Sequence, residues 1–406
     1  MDLTRWRKFR SPPAVLALIV FGSACSGGQP PHDREPVAVT PAATASRSAF
    51  PDWPKTDFTR TTVNLDEVMR GCPVRDCIPA LDVEGAVEIP SAKGGHARFA
   101  PATTLKYAPR LPVAVVTVGS VTKGYPLHIL TWHEVVNDRF GDVPVVVTYC
   151  PLCNTAISFD RRVDGRTLDF GVSGNLRNSD LIMWDRQTES WWQQATGEGI
   201  VGANSGRQLR PLSTTIVAFR DFATTHPDGL VLTEDTGFGR SYGINPYEGY
   251  DGSTRPFLFS GKIDTRLPAL DRVVTLGRDG DGTAVPLSAL AALGVANLEV
   301  EKVPIAVFWV PGTVSVLDAS TIADAKDIGS AAAYLARLDG RVLRFRPSQA
   351  GGTFIDEQTG STWNILGVAT DGELRGRQLS AVFHTTEFWF SWFAFHPKTA
   401  LWTAPG

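Results

Sequence analysis

The stretch VPVVVTYCPLCNTA, residues 143–156, ends a β-branched run in two cysteines three positions apart, Cys150 and Cys153. We call residues 150–153 the CPLC motif. Two thiols at this spacing can form a redox couple, clamp a metal ion or make a structural disulfide. The rest of the chain must favour one of these three kinds of chemistry.

A metal site is the first interpretation of the CPLC motif, because a Cys-Pro-x-Cys turn after a strand is similar to the knuckle of rubredoxins and zinc ribbons. Two thiolates need one or two further ligands to close a tetrahedral site. His133 is the first candidate ligand, and His128 and Met183 are further candidates. Glu134 and Tyr149 are expected to support the site. Thiolates with an imidazole suit zinc or copper, and a thioether would select copper(I), so the predicted cofactor is a copper or zinc ion.

Thiol–disulfide exchange and a structural disulfide remain open alternatives for the CPLC motif. In thioredoxin-like proteins a helix N-terminus lowers the pKa of the first thiol. Here residues 154–159 alternate and are β-prone, which predicts a strand. Under the redox alternative, Cys150 and Cys153 would be the reacting groups of an extracytoplasmic oxidoreductase. Under the disulfide alternative, the protein would be a non-catalytic binding or scaffold protein.

The chain contains two copies of one pattern. YPL at 125–127 and VPL at 285–287 are each followed by a Val-Pro, with the prolines eighteen residues apart in both places. GRQL at 206–209 recurs unchanged at 376–379, and a His-Pro follows seventeen residues after each leucine. Landmarks in the same order with the same spacing predict an internal duplication.

The polar residues around the CPLC motif occur in the first copy alone. When the copies are aligned on their Val-Pro pairs, Cys150 faces Val310, Glu134 faces Gly294 and His133 faces a leucine. A structural disulfide would have no reason to be lost together with the histidine and the glutamate. The first copy is therefore predicted to carry the site, and the second copy is predicted to be degenerate.

Other acidic residues are interpreted as structural. Asp185 and Asp356 each begin an Asp-x-x-Thr-x-Ser pattern, so this turn is interpreted as scaffold that both copies need. Asp160, Asp169 and Asp180 are interpreted as scattered turn acids.

Short strand candidates bounded by Gly and Asn dominate each copy, and residues 127–136 are the best helix candidate. We predict a β-rich α+β protein in which two tandem copies of one domain pack together. The predicted parts of the chain are a lipoprotein signal peptide over 1–25, a flexible tether over 26–58, an N-terminal extension over 59–110, a first repeat over 111–235, a connector over 236–265 and a second repeat over 266–406.

The N-terminus has the pattern of an export signal. Basic residues at positions 5–10 precede a short apolar stretch over 14–21, which is followed by Gly-Ser-Ala and Cys25. This resembles a bacterial lipoprotein signal, with cleavage before Cys25 and a lipid on its sulfur. We therefore expect an exported protein held by that lipid on the outer face of the cell membrane. The Pro-, Ala-, Ser- and Thr-rich residues that follow are typical of a flexible tether.

Two further cysteines, Cys72 and Cys77, lie five residues apart in a turn-like stretch. An exported compartment permits disulfides. We predict that these two residues form a structural disulfide.

Charge and motifs exclude several classes of function. The formal net charge of −3 provides no basic excess to neutralise the phosphates of a nucleic acid. The sequence contains no phosphate-binding loop, no Gly-x-Ser-x-Gly elbow and no His-Glu-x-x-His pattern. Nucleotide cofactors and the common hydrolase mechanisms therefore have no support.

A wider set of motifs resembles one protein family. The motifs are YPL at 125–127, HE at 133–134, ND at 137–138, TYCPLC at 148–153, VSG at 172–174, MWD at 183–185, TES at 188–190, the first GRQL and its His-Pro. They resemble a bacterial and archaeal family of exported proteins known as a domain of unknown function. The resemblance covers most of the chain after about residue 65 and implies no activity. The chain departs from the family pattern at Lys123-Gly124, where Arg-Ala is common, and at Asn154, where Gly is common.

Overall fold

The computed structural model describes residues 50–277 and 282–404. The predicted signal peptide, Cys25 with its lipid, and residues 26–49 of the predicted tether lie outside the described residues. Within the two described ranges, no helix is long and apolar enough to cross a bilayer.

Strands dominate the described part of the chain, and its α-helices are four in number and seven residues long. The helices are α1 (Leu127–His133), α2 (Phe219–Thr225), α3 (Leu287–Leu293) and α4 (Trp389–Phe395). The strands before residue 233 are β1 (Val68–Arg70), β2 (Leu81–Asp82), β3 (Phe99–Pro101), β4 (Pro112–Val118), β5 (Val121–Pro126), β6 (Val135–Phe140), β7 (Val143–Cys150), β8 (Thr155–Asp160), β9 (Arg162–Val163), β10 (Arg166–Thr167), β11 (Phe170–Arg177), β12 (Asp180–Asp185), β13 (Trp191–Gln193), β14 (Gly199–Val201), β15 (Arg210–Leu212), β16 (Thr214–Ala218) and β17 (Leu230–Leu232).

The later strands are β18 (Arg272–Leu276), β19 (Thr283–Pro286), β20 (Val295–Val300), β21 (Val303–Val310), β22 (Ser330–Leu335), β23 (Arg337–Leu338), β24 (Arg341–Val342), β25 (Phe345–Pro347), β26 (Phe354–Asp356), β27 (Thr362–Trp363), β28 (Ala369–Asp371), β29 (His384–Phe388) and β30 (Ala400–Leu401). Together with the four helices, these strands confirm the predicted β-rich α+β class.

The first half, which we define as residues 112–232, forms three larger sheets together with β1 to β3. Their strand orders are β16-β4-β5-β17-β3, β15-β8-β7-β6-β2 and β1-β11-β12-β13-β14. β7 lies in the middle of the second sheet, and all its residues after Val143 are buried. Its run of valines suits this position, because β-branched side chains pack well on a pleated surface that is covered on both faces. This central strand carries the CPLC motif at its end.

The second half, residues 272–401, repeats most of the strand order of each of these three sheets. Its sheets are β29-β18-β19-β30, β20-β21-β22 and β25-β26-β27-β28. The likeness includes an unusual detail, because β5 pairs in parallel with β17 and β19 pairs in parallel with β30. Two stretches of the chain thus run through the same order of elements and the same strand pairings.

The Asp-x-x-Thr-x-Ser turn has the same hydrogen bonds in both halves. Asp185 Oδ1 accepts from the Thr188 backbone N–H at 2.7 Å, and its Oδ2 accepts from Trp192 Nε1 at 2.9 Å. Asp356 accepts from the Thr359 backbone N–H at 2.6 Å and from the indole of Trp363 at 2.9 Å. The interpretation of this turn as scaffold agrees with these contacts, since the carboxylate satisfies buried donors in each half.

The two halves share one hydrophobic core. Their backbones meet at the CPLC motif, where the Phe388 N–H donates to the Cys153 carbonyl at 2.9 Å. A second contact joins Ser213 Oγ to the Val382 carbonyl at 3.0 Å. The end of β29 therefore lies directly against the loop that carries the cysteines.

Residues 50–58, assigned to the tether by composition, pack on the first half. Phe50, Trp53 and Phe58 are buried against Trp191, with ring centroids 4.9–5.3 Å apart. Trp53 also meets the ring of Trp184 edge to face at 5.5 Å. Three large aromatic side chains bury enough apolar surface to order this segment, which the surrounding Pro and Thr residues did not indicate.

The N-terminal extension is fixed at the edge of the third sheet. Cys72 and Cys77 form a disulfide, as their spacing predicted. The backbone N–H groups of Gly71 and Cys72 both donate to the Gly174 carbonyl at 2.9 Å, directly after β1 pairs with β11. The disulfide thus closes a small loop at a sheet edge and belongs to the architecture of the first half.

Candidate metal centre

The CPLC motif forms the tight loop between β7 and β8. Cys150 is the last residue of β7 and pairs with Thr155, the first residue of β8. The Asn154 N–H donates to the Pro151 carbonyl at 3.2 Å, and Asn154 adopts a φ of 53°, which closes the turn. Both cysteines are free thiols, and Cys150 is 1% and Cys153 0% exposed. A strand follows the second cysteine, as the sequence predicted.

A carboxyl group completes a compact group of three ligand atoms. The Sγ atoms of Cys150 and Cys153 and a carboxylate oxygen of Asp180 all lie within 4.8 Å of one another, and all three residues are buried. Asp180 Oδ2 accepts from Gln193 Nε2 at 2.6 Å and from the Ala195 N–H at 2.9 Å. Asp180 Oδ1 is buried without a hydrogen-bond partner among residues 50–277 and 282–404.

Ser179, the residue before Asp180, contacts both thiols through its backbone carbonyl. The Ser179 carbonyl accepts from Cys150 Sγ at 3.8 Å and from Cys153 Sγ at 3.6 Å. Ser179 has a φ of 65°, a conformation that is uncommon for a residue with a side chain. The turn between β11 and β12 is therefore bent so that Ser179 and Asp180 both face the cysteines.

Glu134 reaches the same region from the end of α1. It has a φ of 59°, which ends the helix at His133 rather than at residue 136 as predicted. Gly294 ends α3 in the second half with a φ of 75°, and glycine adopts this conformation at no steric cost. The first half thus keeps a glutamate where the backbone favours glycine, and strain of this kind is frequent at functional sites.

The Glu134 carboxyl group is buried beside the other acidic groups. Its side chain hydrogen-bonds with Tyr247, and the Tyr149 N–H donates to its carbonyl at 2.8 Å. Burial, together with the nearby Asp180 carboxyl, raises the pKa of Glu134 to about 8. Glu134 and Tyr149 therefore lie next to the CPLC motif, and their supporting role stays a prediction.

A third carboxyl group comes from the second half. Glu387, at the end of β29, is buried and accepts from Thr385 Oγ1 at 2.5 Å and from Ser391 Oγ at 2.9 Å. Ser391 lies in α4, and its hydroxyl near Cys153 lowers the pKa of that thiol. We call Glu134, Cys150, Cys153, Asp180 and Glu387 the acidic cluster.

Burial disfavours the charged form of every group in the acidic cluster. It raises the pKa of Asp180 to about 6 and that of Glu387 to about 7. It also raises the pKa values of both cysteine thiols, Cys153 most of all. In the described part of the chain, no basic side chain is among the groups that chiefly set these five pKa values. The raised pKa values of the cluster thus come chiefly from burial and from the neighbouring acids.

Residues 236–263, which we call the covering segment, close the site from outside. The Tyr250 hydroxyl donates to the Leu152 carbonyl at 3.0 Å, inside the CPLC motif. Ser179 Oγ donates to the Phe257 carbonyl at 2.5 Å, and the Phe257 N–H donates to the Tyr250 hydroxyl at 3.3 Å. The stretch predicted to be a connector therefore supplies the cover of the site.

A family model described as "Protein of unknown function (DUF3179)" matches residues 75–399, which include the whole acidic cluster. The chain belongs to this family. No curated protein and no solved structure matches the chain. For this DUF3179 protein the function therefore has to be argued from the geometry of the site.

The histidines predicted as ligands are engaged elsewhere in the DUF3179 fold. His133 is buried, with Nδ1 bonded to the Pro79 carbonyl at 2.7 Å and Nε2 bonded to the Tyr242 hydroxyl at 2.8 Å. His128 Nε2 lies 2.9 Å from Glu234 Oε1. Neither histidine joins the two thiols in the group of three ligand atoms.

Met183, the other further candidate ligand, lies within β12. It is fully buried in the shared core and pairs with Val172 and Trp192 on the neighbouring strands. This position accounts for its side chain by packing alone.

Asp180 corrects the interpretation of the scattered acids, because it is buried beside the thiols and does not lie in an exposed turn. The comparison of the two halves held a signal for it. Five residues before Asp185 stands Asp180, and five residues before Asp356 stands Gly351, so the acid is present in one half only. Glu387, in turn, is present in the second half only. Counted from the leucines of the two GRQL stretches, the matching residue in the first half is Val217.

Proposed function

We propose that this protein holds a divalent metal ion of the zinc type through Cys150, Cys153 and Asp180. One observation carries the proposal: two thiols and a carboxylate oxygen converge within 4.8 Å in a buried place. The unpartnered Asp180 Oδ1 supports it further, because buried polar atoms in folded proteins nearly always have a partner. An ion would supply that partner.

The distances fit a tetrahedral ion. With bonds of about 2.3 Å to sulfur and about 2.1 Å to oxygen, a tetrahedral ion holds its ligand atoms roughly 3.6–3.8 Å apart. The three ligand atoms are already within 4.8 Å of one another, so movements of less than about 1 Å would close them around the ion. The two thiolates and the Asp180 carboxylate together carry one negative charge more than the ion can balance, so the nearby Glu134 would remain in its neutral, protonated form.

The donor set favours zinc over copper. Two thiolates with a carboxylate are typical zinc ligands, whereas copper(I) prefers thiolates with thioether or imidazole. The imidazole of His133 is bonded elsewhere, and the thioether of Met183 is accounted for by packing. Of the two ions that the sequence suggested, zinc is therefore the better match.

Thiol–disulfide exchange is less compatible with this site. Exchange requires an accessible thiolate, but both thiols are buried and their pKa values are raised. A strand, and not a helix N-terminus, follows the CPLC motif. A bound cation would offset the effect of burial on the cysteines, since it stabilises the thiolates directly.

We infer that the centre works outside the cytoplasm and that its two halves descend from one duplicated domain. The lipoprotein-like pattern ending at Cys25 supports export and a lipid anchor on the outer face of the membrane. The repeated order of elements supports the duplication. On this view the first half kept the thiols, and the second half lost them.

The test combines metal analysis with ligand substitution. Purified protein should carry about one zinc ion per chain, with free thiols released only after the ion is removed. Cys150→Ser and Asp180→Asn should each weaken zinc binding at least tenfold in a chelator competition. Asp339→Asn, at an exposed acid paired with Arg377, is the matched control and should bind as the wild type does.

Two results would contradict the proposal. One is wild-type protein that binds no zinc or other divalent ion under reducing conditions. The other is Asp180→Asn with unchanged affinity. A Cys150–Cys153 disulfide in protein isolated without reductant would instead favour the redox or structural alternatives.

A further inference from the structure

A hydroxyl and a carboxyl group from the second half form a chain of contacts that ends on one proposed ligand. Ser391 Oγ donates to Glu387 Oε2 at 2.9 Å, and the Ser391 hydroxyl lies near enough to Cys153 to lower the pKa of its thiol. The same carboxyl accepts from Thr385 Oγ1 at 2.5 Å and from Thr155 Oγ1 at 3.5 Å. These hydroxyl groups fix the Glu387 side chain, which in turn holds the Ser391 side chain beside Cys153.

The fold itself does not need a glutamate at position 387. Counted from the matching leucines of the GRQL stretches, Glu387 corresponds to Val217 and Ser391 corresponds to Asp221. Val217 is fully buried, so an apolar side chain fills this place in the first half. A buried glutamate is costly when an apolar residue would serve. The second half therefore carries a buried glutamate that its own packing does not explain.

Polar residues from the two halves meet at one place. The first half supplies the thiols and Asp180, and the second half supplies Glu387 and Ser391. A main-chain hydrogen bond joins the two halves at this place, since the Phe388 N–H donates to the Cys153 carbonyl at 2.9 Å. Glu387 and Ser391 lie on either side of Phe388, so the contact fixes both against the CPLC motif.

We propose that Glu387 and Ser391 are positioning residues that orient the Cys153 sulfur toward the ion. The inference rests on the proposed function. It gives the second half a role in the metal centre, which is to orient a ligand that the first half supplies. Neither residue belongs to the group of three ligand atoms, so both act through Cys153. Partners that orient a metal ligand in this way typically change metal affinity by about 10–100-fold when removed.

Cobalt(II) is the probe for the test, because its visible absorption reports on the thiolate ligands and on the coordination geometry. The full chain is titrated with cobalt(II), and wild type is compared with Ser391→Ala and Glu387→Gln. Ser391→Ala removes a single atom, and Glu387→Gln keeps the size of the side chain. Asp221→Ala, at the matching place in the first half, is the control for Ser391→Ala. Circular dichroism checks that each variant is folded.

The expected result is cobalt binding about 10–100-fold weaker in both variants, with a shifted sulfur-to-cobalt absorption band. Asp221→Ala should keep the wild-type affinity and spectrum. Ser391→Thr, which retains the hydroxyl group, should recover the wild-type band. Loss of stability alone would weaken binding without moving the band, so the spectrum separates positioning from a merely structural role.

The two proposals fail in different ways. If wild type binds cobalt and both variants give the same affinity and band, the positioning role is overturned while the metal centre stands. If wild type binds neither cobalt nor zinc, the metal centre itself is refuted, and this inference falls with it.

Discussion

Substituting Glu134 by glutamine should change how the stability of the metal-free protein depends on pH. Burial raises the pKa of Glu134 from 4.5 to about 8. The folded state therefore holds a proton that the unfolded chain has already lost. The contribution to stability is fully present below about pH 4.5 and is lost as the pH rises toward 8.

The size of this effect follows from the shift. Each pH unit between the unfolded and folded pKa values changes the free energy of unfolding by about 1.4 kcal/mol. Between pH 5 and pH 8, Glu134 should lower the stability of the wild type by about 4 kcal/mol. Glutamine cannot ionise, so Glu134→Gln should lack this part of the decline. The contributions of Asp180 and Glu387 to stability also decline as the pH rises, and both residues remain in the variant.

The assay is urea unfolding in the presence of a strong chelator at pH 5, 6, 7 and 8. Wild type and Glu134→Gln should have similar stabilities at pH 5, and the variant should be about 4 kcal/mol more stable at pH 8. Glu373→Gln, at a surface glutamate paired with Arg341, is the control and should follow the wild-type curve. Parallel curves for wild type and Glu134→Gln would show that Glu134 does not hold a proton at neutral pH, and the account of the acidic cluster would be wrong.

Three further predictions concern the scaffold. Peptide mapping of the non-reduced protein should recover Cys72 joined to Cys77, and a link from either one to the CPLC motif would contradict the structure. Lys123→Met should lower the free energy of unfolding by about 3–5 kcal/mol, because it leaves Asp138 buried without the ammonium group that lies 2.8 Å away. A loss below about 1 kcal/mol in urea unfolding would count against that ion pair. Trp53→Ala should lower the free energy of unfolding by about 3–5 kcal/mol in the same assay, because it removes a buried aromatic side chain. An unchanged unfolding midpoint would show that residues 50–58 belong to the flexible tether after all.

Local patterns were enough to predict the elements around the CPLC motif. The β-branched run before Cys150 and the β-prone residues after Cys153 indicated a strand on each side, and the close spacing of Cys72 and Cys77 indicated their disulfide. Each of these features depends on residues that are near one another along the chain. The Val-rich pattern of β7 likewise follows from burial on both faces.

The full set of cluster residues could not be predicted in the same way. His133 was expected near the thiols because it precedes Glu134, but the positive φ at Glu134 ends the helix there, and the His133 ring hydrogen-bonds with Pro79 and Tyr242 instead. Asp180 and Glu387 reach Cys153 only through tertiary packing, from 27 and 234 positions further along the chain. No periodicity or local motif reports a contact of that kind. Their presence in one half only was the available signal, and it required comparing every polar residue between the two halves.

The distance along the chain between the cysteines and their last contacts determines when the centre can form. The CPLC motif is synthesised more than two hundred residues before Ser391 and about one hundred before the covering segment. A partly synthesised or truncated chain therefore has the thiols without their cover. An ion bound at that stage could escape, and the thiols would be open to oxidation. If the proposed ion is bound, its retention would then mark a chain that has folded as far as α4, so proteolytic loss of residues from 387 onward should release the metal before the rest of the protein unfolds.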